Sequence, residues 1–202
     1  MGQEKSLLTL AGKPLVVHAV AKLRQLCAEV CILSNNPALA PFAPLVADLH
    51  PNCGPISGIE AALLSAKHAW SLVLPVDVPF VPLNFLDDWI DRTLQTSARL
   101  ALFVVDGRPQ PTLILIHRSL VPFLTDAIVK GRYKLYPELA MAAKAFGADT
   151  ILESRIESGE AEALYFTNLN TPGDFAAAEQ IAIRLEEQTE QTEQTDQTDQ
   201  TE

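Results

Sequence analysis

The run Leu72-Val73-Leu74-Pro75-Val76-Asp77-Val78-Pro79-Phe80 most narrows the folds open to this chain. It is aliphatic and β-branched, carries a single carboxylate, and is then broken by proline. A strand of that kind belongs inside a parallel sheet, with its carboxyl end at the rim where open α/β sheets bind ligands. Asp77 is therefore expected at the mouth of a site. The chain itself opens on Met1-Gly2-Gln3-Glu4-Lys5-Ser6-Leu7-Leu8, a loop leading into an apolar segment with no strand ahead of it.

Helical and strand periodicities alternate through the rest. Leu15, Val16, Ala19, Val20, Leu23 and Leu26 recur at helical spacing behind Gly12-Lys13-Pro14, a turn that places proline in the first helical turn. Val30 to Leu33 reads as a buried strand ending in the polar loop Ser34-Asn35-Asn36-Pro37, and Leu45-Val46-Ala47 as a second strand ending at Asp48. A loop with Pro51, Gly54, Pro55 and Gly58 leads into a helix from about Ile59 to Ala69, and Leu83 to Leu94 forms another helix. Beyond it, Leu100 to Val105, the turn Asp106-Gly107-Arg108-Pro109 and Thr112 to Ile116 predict two strands, antiparallel, at or near a sheet edge. Helices follow over Ser119 to Val129 and Leu135 to Ala145, and Leu164 to Thr167 reads as a last strand. Thr171 then caps a helix with Pro172 at its first position and Asp174 in its first turn, running to about Leu185. Strands and helices at this interval indicate βαβ units and an α/β fold with a mainly parallel sheet.

Charge distribution matters more than the total. The formal net charge is -10, but residues 186 to 202 form a Gln-Thr-Glu/Asp repeat with seven acidic groups and no basic one. The body therefore holds 18 acidic residues against 15 basic, which is nearly neutral. The repeat has no apolar residue to bury and is expected to be a solvated, disordered tail following one domain over residues 1 to 185. No apolar run reaches membrane-spanning length and no basic-then-apolar leader begins the chain, so a cytoplasmic protein is the default, with no membrane or nucleic acid as partner. The three cysteines, Cys27, Cys31 and Cys53, leave one unpaired in any disulfide scheme and read as reduced packing residues.

The chemistry-bearing residues lie at strand ends. Gly2 and Lys5 sit in the opening loop, Gly54 and Gly58 in the second loop, and Asp77 follows a strand. Glycines for close backbone approach, a lysine for phosphate charge and an aspartate for a divalent cation are the parts that phosphoryl or nucleotidyl transfer uses, where catalysis is mostly positioning and charge neutralisation. Singly, each has an ordinary alternative: a solvated lysine, turn-forming glycines, a turn aspartate. Their joint placement at successive strand ends is the stronger signal.

These residues carry a resemblance. MGQEKSLL, GKPLVVHAV, the Asn-containing loop after Ile32-Leu33, NCGPISGIEAAL, LPVDVPFVP, Gln110-Pro111-Thr112 with Leu120 beyond, and TNLNTPGDFAAAE resemble, in this order, the molybdenum cofactor guanylyltransferases of the MobA family. The resemblance covers about residues 1 to 185. It implies a Rossmann-like nucleotidyltransferase fold and transfer of GMP from GTP to molybdenum-bound molybdopterin, with release of pyrophosphate and with Mg2+ as cofactor. Lys5 matches the family lysine that contacts the triphosphate, with Gly2 beside it, and Asp77 matches the magnesium ligand; these two are the implied catalytic residues. Asn36 and Asp48 match nucleotide contacts, and Gly54 and Gly58 match the loop lying against the guanine. Asn168 and Asn170 match an NxN facing the metal and the pterin, although capping of the following helix explains them equally well. Molybdenum-insertion and GTP-binding proteins are the implied accessory partners.

Two departures from the family pattern stand out. Glu4 replaces the aspartate usual before the lysine. The family's first strand, its paired glycines and its arginine have no counterpart here, so the natural protein is expected to start upstream, with Met1 an internal methionine. A related cytidylyltransferase, another nucleotidyltransferase and a non-catalytic molybdopterin-binding homologue remain alternative readings.

Overall fold

The computed structural model describes residues 4–147, 149–157, 159 and 161–183. Gly2 and the acidic repeat lie outside the described residues, as does the end of the final helix.

The architecture is α/β. A tight hairpin, β1 (Thr9–Leu10) and β2 (Lys13–Pro14), turns through Ala11 and Gly12, which take φ of 48° and 70°. Two consecutive residues with positive φ match the twist that two-residue hairpins require. The hairpin feeds α1 (Leu15–Leu26), which buries Leu15, Val16 and Val20. A parallel pair follows, β3 (Ile32–Leu33) and β4 (Leu45–Val46), and then α2 (Pro55–Ser65). The larger sheet holds β5 (Trp70–Val73), β6 (Leu100–Val105), β7 (Arg108–His117) and β8 (Ile151–Ile156) in the order β5-β7-β6-β8. β5, β6 and β8 run in one direction and β7 runs against them. The expected antiparallel strand is thus present, but it lies between β5 and β6 instead of on the rim. Among the described residues, no hydrogen-bonded strand joins β3–β4 to this sheet.

Alternation along β6 divides the interior. Leu100, Leu102 and Val104 face α2, α4 (Val121–Val129) and α5 (Leu135–Lys144), packing with Ile56, Ile59, Leu63, Leu124 and Leu139. Ala101 and Phe103 face the other way, against Leu86 and Trp89 of α3 (Leu83–Leu94). Trp89 and Phe103 lie with ring centroids 4.5 Å apart, and the Trp89 indole N–H donates to Ser154 Oγ at 3.1 Å. The final helix, α6, spans residues 172–183 as described. It packs Ala178 and Ala182 on Leu10, Leu15 and Leu169, and the Glu179 carboxylate accepts from the Ala11 N–H at 3.0 Å. No helix among the described residues is long and apolar enough to cross a membrane. Cys27, Cys31 and Cys53 are free thiols, with Cys53 buried.

Four expectations are corrected. The strand expected inside a parallel sheet at Leu72–Leu74 is β5, which lies at the sheet edge, and its partner among the described residues, β7, runs antiparallel to it. Residues 164–167 do not form a strand: Ala161–Phe166 is a 3-10 helix with Leu164 exposed and Phe166 in the core. The strand of that region is β8, whose central Glu153, Ser154 and Arg155 mask its character. β8 pairs with β6 on one side and forms the sheet edge on the other, where polar residues are tolerated. Finally, α2 begins at Pro55, not Ile59, because Gly54 supplies a positive φ of 70° at the cap and proline suits the first helical turn. Gly58 consequently lies inside the helix.

Phe103→Ala removes a ring that is 1% exposed and touches both Trp89 and Phe166. Denaturant unfolding followed by tryptophan fluorescence is expected to show a loss of about 3–5 kcal/mol.

Candidate active site

Three distant parts of the chain meet at one point. Lys5 lies at the start of a 3-10 turn (Lys5–Leu7), Asp77 in the irregular segment after β5, and Asn170 just ahead of α6. The Lys5 ammonium donates to Asp77 Oδ2 and to Asn170 Oδ1, each at 2.7 Å. The Leu169 N–H donates to the Asp77 main-chain oxygen at 3.0 Å, and Leu169 is fully buried. That anchor leaves Asn168 and Asn170 exposed on either side.

The start of α6 completes this rim. Asp174 Oδ2 accepts from the N–H groups of Asn170 at 2.8 Å and Thr171 at 2.7 Å, while Thr171 Oγ1 accepts from the Asp174 N–H at 3.2 Å. This reciprocal cap satisfies main-chain donors that the helix leaves open. The Thr171 and Asn170 N–H groups hold the Asp174 carboxyl below the usual carboxylate range, with Lys5 nearby contributing in the same direction.

A second group of residues adjoins the first through Glu4. Its carboxylate accepts from Ser6 Oγ at 2.8 Å and Asn36 Nδ2 at 3.2 Å, and these two bonds, Ser6 first, lower its pKa. Asn36 also caps the short turn after β3 by accepting from the Ala38 N–H at 3.0 Å. The Asp48 N–H donates to Asn35 Oδ1 at 3.1 Å, tying the end of β4 to the loop after β3. A Cβ on Gly58 would stand 3.1 Å from Asp48 Oδ1 and 3.6 Å from Leu33 Cβ, so glycine here permits α2 to lie against Asp48. Gly54, at the head of α2, is exposed and meets nothing within 4 Å of an added Cβ; its requirement is the positive φ alone.

The structure therefore joins Lys5, Asp77 and Asn170 directly, and Asn36, Asp48 and Gly58 around the ends of β3 and β4. Asn168 borders the first group. Sequence reading missed three supporting residues. Asn35 fixes Asp48, and Ser57 Oγ accepts from the His50 N–H at 3.0 Å. Lys22 of α1 donates to the carbonyls of Pro79 and Val81, the latter at 2.6 Å, bracing the segment that follows Asp77. Burial pushes the Lys22 ammonium down to about 8. The only sequence signal for Lys22 is a cation inside an otherwise apolar helix face.

Asp77 and Asn170 present hard oxygen donors that both reach a single cation, Lys5. Such a donor pair suits a divalent ion that takes its remaining ligands from phosphate and water, as Mg2+ does. No group of three or more His, Cys, Asp or Glu side chains arranged for a metal is present among the described residues, so an all-protein cage is not what this site offers.

An α/β fold whose lysine, carboxylate and exposed asparagines meet beyond a strand end suits the handling of a phosphorylated ligand. A sequence model described as the MobA-like NTP transferase domain matches residues 1–155. The chain belongs to that family. It is 35% identical over 179 residues to a molybdenum cofactor guanylyltransferase of Serratia proteamaculans, covering 86% of this chain and 84% of the relative. It is 32% identical over 184 residues to one from Yersinia pestis, covering 89% and 88%. Among solved structures, the molybdopterin-guanine dinucleotide biosynthesis protein A of Archaeoglobus fulgidus superposes with a TM-score of 0.71 at 25% identity, covering 91% of this chain and 92% of that one.

The Asp174 cap carries a pH signature. A carboxyl whose folded pKa lies below its unfolded value contributes stability above the unfolded value, near 3.8, and loses it as pH falls through the folded value. Asp174→Asn is expected to flatten the acid limb of the stability profile below about pH 4, read from denaturant midpoints at successive pH values.

Proposed function

We propose that this chain transfers GMP from GTP to molybdenum-bound molybdopterin, forming molybdopterin guanine dinucleotide and pyrophosphate. The convergence of Lys5, Asp77 and Asn170 at the sheet rim carries this reading, and the names of the curated relatives supply the acceptor and the base.

In the reaction, an oxygen of the acceptor's terminal phosphate attacks the α-phosphorus of GTP. A new P–O bond forms there, the bond to the β-phosphate bridging oxygen breaks, and the electron pair leaves with pyrophosphate. The nucleophile is already an anion, so no general base is needed, and catalysis reduces to alignment and charge neutralisation. Lys5 places its ammonium against the triphosphate. Asp77 and Asn170 would hold Mg2+, which when bound neutralises phosphate oxygens as charge moves to the leaving group. Lys5 and Asp77 have side chains 34% and 25% exposed, and a pair so open to solvent is worth at most about 1 kcal/mol. Lys5 can therefore turn from carboxylate to phosphate at small cost. Asn36, Asp48, Gly54 and Gly58 are assigned to the nucleoside side and Asn168 to the pterin side, while Gly2, assigned to phosphate binding, lies outside the described residues. The reaction belongs in the cytoplasm, with molybdenum-insertion and GTP-binding proteins as accessory partners.

With the full chain, Asp77→Asn is expected to lower pyrophosphate release by about 10²–10³-fold while the Kd for GTP changes far less, since the lost charge acts mainly on the transition state. Release with GTP but not CTP supports guanylyl transfer. The reverse preference identifies a cytidylyltransferase. An Asp77→Asn variant that turns over normally removes Asp77 as metal ligand.

A further inference from the structure

Glu60 is a buried carboxylate for which the reaction has no use. It lies on α2, one turn beyond the head of the helix, and its side chain is 2% exposed. Thr125 Oγ1 of α4 donates to Oε1. Oε2 has no hydrogen bond, and its nearest polar neighbour is His50 Nε2 at 3.3 Å, close enough for charge attraction but out of line for a bond. Burying an ionised carboxylate costs several kcal/mol unless it is paired, so the position calls for a reason.

The geometry around His50 supplies one. His50 is in the irregular segment between β4 and α2, and its main-chain N–H is held by Ser57 Oγ at 3.0 Å. The same segment begins at Asp48, tied to Asn35, and ends at Gly54. It contains Asn52 at a φ of 66°, the left-handed region that asparagine enters more readily than most non-glycine residues. Cys53 near the end of the loop is buried in the core with Ile56 and Leu63, and Ser57 Oγ holds the His50 N–H; the Glu60 to His50 contact adds a side-chain link at His50, and through Thr125 to α4.

We propose that Glu60 is a positioning residue for the nucleoside-binding loop: anchored on Thr125, its carboxylate holds His50 and thereby fixes residues 48–54 against the nucleotide. This rests on the assignment of Asp48, Gly54 and Gly58 to the nucleoside side of the site. Because neither Glu60 nor His50 bonds to Lys5, Asp77 or Asn170 among the described residues, losing the tie should weaken GTP binding without slowing the chemical step.

The test uses the full chain and GTP with three variants, Glu60→Leu, Glu60→Gln and His50→Gln. Glu60→Leu and His50→Gln are each expected to raise the Kd and KM for GTP by about tenfold, the size of one lost buried polar contact, with kcat within about twofold. Glu60→Gln keeps the Thr125 bond but removes the charge that attracts His50, so it should weaken GTP binding about as much as Glu60→Leu. Hydrogen exchange at residues 48–54 should quicken in Glu60→Leu while the amides of β6 and β7 stay protected. Should Glu60→Leu fail to fold, His50→Gln decides, since that side chain is 41% exposed and its loss leaves the core intact.

Unchanged exchange at 48–54 together with an unchanged KM overturns the proposal, as does a fall in kcat at constant KM. Gly58→Ala separates this failure from failure of the site assignment. If it weakens GTP binding while Glu60→Leu and His50→Gln alter nothing, the loop binds nucleotide and Glu60 does not position it. If exchange quickens but GTP binding is indifferent to all these variants, the loop does not carry the nucleotide and the proposal falls with the assignment.

Discussion

A single main-chain hydrogen bond, from the Leu169 N–H to the Asp77 oxygen, holds the candidate site together. Leu169 is buried against Leu10, Leu15, Ala178 and Ala182, so this bond is backed by a hydrophobic cluster that includes the hairpin, α1 and α6. Extended backbone alternates its side chains, and with Leu169 turned inward Asn168 and Asn170 must turn outward. Asn170 then meets the Lys5 ammonium, which also meets Asp77, although 165 and 72 residues separate these partners in sequence. The reciprocal cap between Thr171 and Asp174 fixes the Asn170 main chain from the other side. The polar rim is thus a consequence of apolar packing one layer below it.

Where local chemistry decided the structure, the sequence was readable. The helices over 15–26 and 83–94 follow the apolar spacing, and the α6 start follows from Thr171, Pro172 and Asp174, each with a stated role at a helix head. The alternation of apolar residues in β6 and the turn at Asp106-Gly107 announced the β6–β7 pair. Lys5 and Asp77 stood out because residues of opposite charge at successive strand ends have few structural uses. Their meeting with Asn170 did not follow from pattern, since nothing local links a residue near the start of the chain to one just ahead of its last helix.

Where tertiary context decided, the sequence misled. Ile151-Leu152-Glu153-Ser154-Arg155-Ile156 reads as polar, yet β6 recruits it, and Ser154 serves the Trp89 indole. Leu164 to Thr167 reads as a strand, but Ala161–Phe166 winds into a 3-10 helix that sends Tyr165 and Phe166 to the core and leaves Leu164 exposed. Glu60 and Lys22 carry no local pattern that marks them as inward-facing. Each is instead turned inward to polar atoms of another segment, Thr125 and His50 for the first, the Pro79 and Val81 carbonyls for the second. Those partners lie far along the chain, so no spacing rule reaches them.

The charge at the rim bears on the form in which a nucleotide is bound. Asp77 bonds Lys5 and Asp174 feels its charge, so this rim carries more negative than positive charge even though the body of the chain is nearly neutral. Each like-charged pair opposes approach, though solvent screens these exposed groups. Lys5 alone can offset one such pair, whereas a triphosphate brings several charges. On the proposed assignment, a bare nucleotide would be repelled from this rim more than one carrying a divalent cation. That asymmetry would favour a metal complex as the bound substrate, with Asp77 and Asn170 meeting the cation and Lys5 left for the phosphate oxygens that the cation does not reach.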